Sequence, residues 1–229
     1  MQIKEKVVLL DFCETVVKFQ TADLFVKYAV DNKKTWLSNI WKFSYRVLCY
    51  VGLISYIEKK KPSWSFNKRC ILLFLKGFSE YDLDKIALLY YKNVLRPNFI
   101  PQTMEYLKLW QKQGFRIIIL SGGYDIYLKY FAEEFNISDL ICTKIKFDKG
   151  FCKGTFSSID CLGTNKIFLL KEYLYLKDIC IDKENSIAVS DSVTDLPMLN
   201  YVGNQLIIYR ADKKTWHQNY GFENYLVWN

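Results

Sequence analysis

The chain of 229 residues holds a single histidine, His217, and that scarcity argues against the usual histidine-based acid–base chemistry. His217 lies near the C-terminus, where the sequence predicts a surface position on a terminal helix. The seven cysteines, Cys13, Cys49, Cys70, Cys142, Cys152, Cys161 and Cys180, form no C-x-x-C pair and no regular framework. Their spacing argues against a sulfur-bound metal and for reduced thiols in a cytoplasmic setting. Long apolar runs are also missing: the best stretch, Trp36 to Ile57, is interrupted by Lys42 and Arg46 well before it could span a bilayer. There is no internal repeat and no low-complexity linker. The N-terminus runs straight into an apolar stretch, leaving no room for a signal peptide. Hydrophobic residues are plentiful, at 51%, and aromatic residues make up 17%. A chain of this length and content can bury a sizeable core, in one domain or in one domain with an insertion.

Acidic residues are scarce in one region only. Residues 18 to 99 carry 15 Lys and Arg against 6 Asp and Glu, whereas the rest of the chain is close to neutral, so the net charge of +8 comes from that region. Such an excess suits a phosphorylated substrate, an anionic membrane surface or a nucleic acid; a solvated helical surface accounts for most of these lysines.

The pattern over that region is helical from Thr15 to about Phe99. Phe25, Tyr28 and Ala29 can share one face, and Leu37, Ile40, Trp41 and Tyr45 another. Lys59-Lys-Lys-Pro62 ends one helix, Ser63-Trp-Ser-Phe-Asn begins the next, and Ser79 caps a third. Beyond it, Thr103 to Gln113 reads as an amphipathic helix with Met104, Leu107 and Trp110 inward. A helix from about Tyr124 to Phe135 follows, then a strand from Leu140 to Lys144 and a hairpin turn at Phe147-Asp-Lys-Gly150. Lys166 to Leu176 is helical, and Gln205-Leu-Ile-Ile is the last strand, before an aromatic tail. Strands alternating with helices argue an α/β fold with a Rossmann-like, doubly wound parallel sheet.

Val7 to Leu10 is an apolar run suited to a buried parallel strand, and Asp11 follows at its carboxyl end, where open α/β sheets build their sites. Asp11 is either a solvated loop aspartate or a nucleophile or metal ligand, and the second reading needs partners. Three stretches provide them. Arg116-Ile-Ile-Ile-Leu-Ser121-Gly-Gly is a strand ending in a hydroxyl and two glycines. Lys166 opens a helix after Gly163-Thr-Asn. Ser186-Ile-Ala-Val-Ser-Asp191-Ser-Val-Thr-Asp195 is a strand ending in two acids four residues apart. Ser121 with the amides of Gly122 and Gly123 makes a natural phosphate cradle where a helix begins.

This ordered set resembles the haloacid dehalogenase superfamily, in particular its phosphoserine-phosphatase-like subgroup with a helical cap. S-D-S-x-x-D-L-P-M-L is the most specific piece, and the resemblance spans nearly the whole chain. It implies a catalytic core of residues 1–17 and 98–229 and an inserted helical cap of residues 18–97. It also implies a phosphatase that forms an aspartyl-phosphate on Asp11, with Mg2+ held by Asp11, the backbone carbonyl of Cys13 and Asp191. Asp195 then ligates through water or orients the other ligands. Lys166 and Ser121 complete the catalytic set, and Thr15 hydrogen-bonds the nucleophile loop. The expected partner is a small phosphorylated metabolite, with no nucleic acid. Membrane contact through Trp36, Trp41, Lys42 and Arg46 is the weaker reading, because cap helices buried on one another explain the same aromatics more simply. The oligomeric state is not encoded in any motif.

Cys13 departs from the family, whose hydrolases place a second aspartate two residues after the nucleophile to protonate the leaving oxygen and then activate water. A thiol, with an ordinary pKa of about 8.5, suits neither task. Neighbouring Glu14 is not expected to replace it. The residues therefore predict a slow phosphatase or, alternatively, a phosphate-binding protein that has lost turnover.

Overall fold

Val7–Leu10 forms β1, and all four side chains are buried. Consecutive residues point to opposite faces of a strand, so full burial requires cover on both faces. Two apolar clusters supply it: Val8 and Leu10 join Ile117 and Ile119 on one face, and Val7 and Leu9 join Ile118 and Leu120 on the other. In this computed structural model, residues 4–33, 43, 47, 53–60, 65–212 and 216–229 are described. The main sheet has six strands: β1, β2 (Arg116–Tyr124), β3 (Asp139–Thr143), β6 (Ile187–Ser190), β7 (Asn204–Arg210) and β8 (Tyr225–Trp228). Their order is β3-β2-β1-β6-β7-β8 and every pairing is parallel. The expected doubly wound parallel sheet is what forms. β1 lies between β2 and β6, at the point where the strand order reverses, so their carboxyl ends open a crevice directly above it.

Between β1 and β2 the described chain is helical: α1 (Thr21–Asn32), α2 (Leu53–Lys60), α3 (Phe66–Leu72) and α4 (Glu80–Tyr90). Phe25 and Ala29 are buried on α1, with Tyr28 packed beside them. Ser79 caps α4 as the sequence predicts, accepting from the Asp82 amide at 3.2 Å. The Leu37, Ile40, Trp41 and Tyr45 face, the Lys61-Pro62 stop and the Trp36, Trp41, Lys42 and Arg46 set lie outside the described residues. α5 (Pro101–Lys112) precedes β2, and α6 (Asp125–Glu134) follows it. Phe25, Tyr90 and Tyr127 meet with ring centroids 5.0 to 5.4 Å apart, which ties α1 and α4 to α6 through one continuous aromatic cluster. The predicted hairpin joins β4 (Ile145–Asp148) to β5 (Phe151–Phe156), with positive φ at both Lys149 and Gly150 as a two-residue turn requires. α7 (Thr164–Leu176) covers the second face, and α8 (Leu196–Leu199) follows β6. Among the described residues no helix is long and apolar enough to cross a membrane.

Two expectations need correction at the C-terminus. Gln205–Ile208 is not the last strand: the aromatic tail returns as β8, an edge strand parallel to β7. Its burial alternates along Tyr225-Leu-Val-Trp228, the signature of a strand covered on one side. His217 is not at the surface either. It is 1% exposed, in a short 3₁₀ segment (Trp216–Tyr220), between the rings of Tyr209 and Tyr225 at 4.9 and 5.1 Å. Among the described residues neither ring nitrogen has a hydrogen-bond partner. Contacts made only on folding explain the misreading, since a single histidine carries no periodicity.

Burial lowers the pKa of His217 below its ordinary value. The unfolded chain then binds this proton at higher pH than the folded one, so stability is lost as pH falls below about 6.5. His217→Phe should remove that dependence. Its melting temperature, relative to the parent's, should rise between pH 7.5 and 5.5, and parallel melting curves across that range would count against the buried neutral imidazole.

Candidate active site

Asp11 stands one residue past β1, where its amide still continues the sheet by donating to the Val189 carbonyl at 3.0 Å. Its carboxylate is buried and both oxygens are used. Oδ1 accepts from Lys166 Nζ at 2.6 Å, and Oδ2 accepts from the Thr15 hydroxyl at 3.0 Å. Lys166, in the first turn of α7, also donates to Asp195 Oδ2 at 2.6 Å, and the Ser190 hydroxyl donates to that same oxygen at 2.6 Å. One buried ammonium thus joins carboxylates from the ends of β1 and β6. Burial pushes the Asp11 carboxyl up to about 6, against the opposing pull of the Lys166 ammonium. Burial works against the Lys166 ammonium too, but Asp11 and Asp195 overcome it and hold its pKa well above the ordinary value.

Asp191, directly after β6, turns its Oδ1 to within 3.4 Å of the Thr15 hydroxyl, so Asp11 and Asp191 flank one side chain. Asp11, Cys13, Lys166, Asp191 and Asp195 all line one cavity of about 380 Å³. Four carboxylates, Asp11, Asp23, Asp191 and Asp195, and two ammonium groups, Lys68 and Lys166, line it, leaving an excess of negative charge on hard oxygen donors. That donor set fits a magnesium ion, which binds through one or two carboxylates and keeps several waters. Among the described residues no three His, Cys, Asp or Glu side chains are grouped to enclose an ion, so any ion is held partly by backbone oxygen or water. Asp195, with an oxygen committed to Lys166 and Ser190, is placed to orient rather than to enclose.

The glycine turn is divided. Gly122 is on the cavity wall, while Ser121 is fully buried behind it and its Oγ accepts from the Gly123 amide at 3.0 Å. A Cβ on Gly123 would lie 2.8 Å from the Tyr127 hydroxyl, so only glycine fits beside that ring. β2 runs on through Ser121 and the two glycines to Tyr124, with a bulge between Ser121 and Tyr124.

Cys13 sits at the cavity with Sγ 3.1 Å from the Thr21 hydroxyl, which is itself 2.6 Å from the Tyr127 hydroxyl. Burial and then the neighbouring Asp11 charge push the thiol up to about 11, so it stays protonated at neutral pH. Glu14 has φ of 56° and its carboxylate accepts from Gln20 Nε2 at 2.8 Å. The sequence reading missed Lys68. This α3 lysine lines the same cavity, forms an ion pair with buried Asp160 and donates to Thr143 Oγ1 at 3.2 Å. No local pattern distinguishes it from its solvated neighbours, because its acceptors, the Gly122 carbonyl, Thr143 and Asp160, come from β2, β3 and the loop before α7.

A family model for haloacid dehalogenase-like hydrolases matches residues 8–200, and the chain belongs to that family. It is a hydrolase built on the phosphoserine-phosphatase-like form of the fold. A protein of unknown function from Bordetella pertussis Tohama I shares 15% identity and a TM-score of 0.77, over 98% of this chain and 99% of that one. A substrate-bound phosphoserine phosphatase superposes with a TM-score of 0.63 at 16% identity, over 98% of this chain and 94% of that one. Cytosolic 5'-nucleotidase IIIB bound to cytidine gives 0.65 at 16%, over 97% and 80%. No curated protein sequence matches the chain.

Removing Lys166 would leave Asp11 and Asp195 as buried like charges. Lys166→Met should destabilise the metal-free protein by about 3 kcal/mol at pH 7. The loss should be smaller at pH 5, below the raised Asp11 pKa of about 6, because a protonated Asp11 relieves the repulsion. Urea unfolding at both pH values checks this, and an equal loss at each would contradict the buried pair.

Proposed function

We propose that the protein is a magnesium-dependent phosphatase acting on a small phosphomonoester through an aspartyl-phosphate on Asp11. The observation that carries this reading is the Lys166 ammonium bridging Asp11 and Asp195 at 2.6 Å, with the Asp191 carboxylate beside them. Asp11 attacks phosphorus, the bond to the leaving oxygen breaks, and water then releases phosphate and restores the carboxylate. Asp11, Asp191 and the Cys13 carbonyl would hold a magnesium ion, which would supply the positive charge that lets a carboxylate approach an anionic phosphoryl group. Lys166 keeps Asp11 ionised and offsets charge on the transferred group. Asp195 and Ser190 hold Lys166 in place, and Thr15 keeps Asp11 and Asp191 apart at a fixed spacing. Ser121 acts through the Gly123 amide, and the Gly122 backbone faces the phosphoryl group.

In this reading residues 18–97 are the cap over a core of 1–17 and 98–229. The cap contributes Gln20, Asp23, Asn67 and Lys68 to the cavity wall, so the substrate's leaving group meets cap side chains. The substrate is a small phosphorylated metabolite of the cytoplasm. A second reading, a phosphate-binding protein with impaired turnover, is favoured by Cys13 alone: a thiol whose pKa is raised by burial and by Asp11 is a weak hydrogen-bond donor and is not ionised at neutral pH to serve as the base that activates water.

Asp11→Asn and chelation of magnesium should each reduce phosphatase activity to background in a screen of phosphomonoesters. Undiminished hydrolysis in either arm would rule the mechanism out. Cys13→Asp separates the two readings. Thr21 can donate to a carboxylate at position 13 as it now meets the thiol. For a phosphatase slowed by a missing acid–base, the rate should rise by up to about 100-fold on alkyl phosphates and by less on an activated aryl phosphate. An unchanged or lower rate on both would favour the binding protein.

A further inference from the structure

The turn after β6 carries both Asp191 and Asp195, yet one of its anchors comes from the far end of the chain. The Trp216 indole donates to the Asp191 main-chain carbonyl at 2.9 Å. An indole N–H only donates, and a half-buried one is satisfied by such a carbonyl. The ring is fixed in turn: Tyr220 and Phe222 lie 6.1 and 6.2 Å from it. The next residue, His217, is clamped between Tyr209 of β7 and Tyr225 of β8. The donor is therefore tied to the two outer strands of the sheet. Inside the turn, Ser192 makes its own short-range bonds, its amide donating to Ser190 Oγ and its hydroxyl accepting from the Thr194 amide, both at 3.2 Å. Holding the Asp191 carbonyl fixes the peptide plane that follows Asp191, and with it the direction of that residue's Cα–Cβ bond. The Asp191 carboxylate is aimed at Thr15, beside Asp11.

We infer that Trp216 is a positioning residue for the metal site: its hydrogen bond to the Asp191 carbonyl holds the Asp191 carboxylate where it can share a divalent cation with Asp11. This rests on the magnesium reading proposed above. It gives the C-terminal segment a role in the chemistry although none of its described residues lines the cavity. Partners that orient a ligand typically change metal affinity by about 10- to 100-fold when removed. A hydrogen bond to the backbone of a ligand should fall at the lower end.

Magnesium titration of the full chain by calorimetry, without substrate, tests the inference on the parent, Trp216→Phe and Phe222→Leu. Trp216→Phe keeps an aromatic ring and loses only the donor; Phe222→Leu loosens the same aromatic cluster and leaves the hydrogen bond. Trp216→Phe should weaken magnesium binding roughly 10-fold, and kcat should return to the parental value at saturating magnesium. Phe222→Leu should lower the metal-free melting temperature without altering magnesium affinity. Equal affinity in parent and Trp216→Phe would overturn the positioning role. So would equal losses in the two variants, which would mark a general loosening, or a Trp216→Phe chain that no longer folds. A parent that binds no magnesium would instead overturn the metal reading itself, and this inference with it.

Discussion

Lys166 is 2% exposed, and its ammonium is held between two buried carboxylates at 2.6 Å on either side. An ammonium taken out of water loses several kcal/mol of hydration, recovered only when well-placed anions surround it. The strand order meets that condition. Asp11 and Asp195 lie in the turns that follow the adjacent strands β1 and β6, and α7 brings Lys166 across their carboxyl ends. Displacing any of the three segments would leave a buried charge uncompensated. The same contact therefore stabilises the top of the sheet and creates the arrangement that chemistry on a phosphoryl group needs. The excess of negative charge, with Asp191 counted in, makes the pocket complementary to a divalent cation.

Around that charged centre the wall by Cys13 is built from neutral hydroxyl-type contacts. Cys13, Thr21 and Tyr127 follow one another at 3.1 and 2.6 Å, and the Tyr90 hydroxyl closes on the Thr21 carbonyl at 3.0 Å. Tyr90 and Tyr127 belong to the aromatic cluster that seats α1 and α4 on α6, so the environment of position 13 is part of the packing among those helices. A carboxylate at position 13 would meet a donor in Thr21 but also a second negative charge in Asp11. The rate of turnover depends on that balance.

Much of this was readable in the residues. The unbroken run Val7–Leu10 identifies a strand covered on both faces, and Asp11, Lys166, Asp191 and Asp195 stand out because they follow strand or helix boundaries in a fixed order. Ser79 is legible as a cap because capping is local. What was not legible is tertiary. Lys68 looks like any other lysine of a basic insertion until β3 and the Asp160 loop give it acceptors. His217 and Trp216 carry no periodic pattern, and only the return of the tail as β8 buries one and aims the other at Asp191. Ser121 reads as a phosphate-facing hydroxyl, but the continuation of β2 through the glycines turns it inward to the Gly123 amide.

The central claim is that Asp11 becomes covalently phosphorylated, and intact-protein mass spectrometry after brief exposure to a phosphomonoester with magnesium, quenched in acid, tests it most directly. Cys13 is ill-suited to activate the water that clears the intermediate, so the parent should carry one added phosphoryl group, mapped to Asp11 and missing in Asp11→Asn. A substrate that is turned over while no phosphoryl group appears on Asp11 at any quench time, or an adduct found on another residue, would contradict the account.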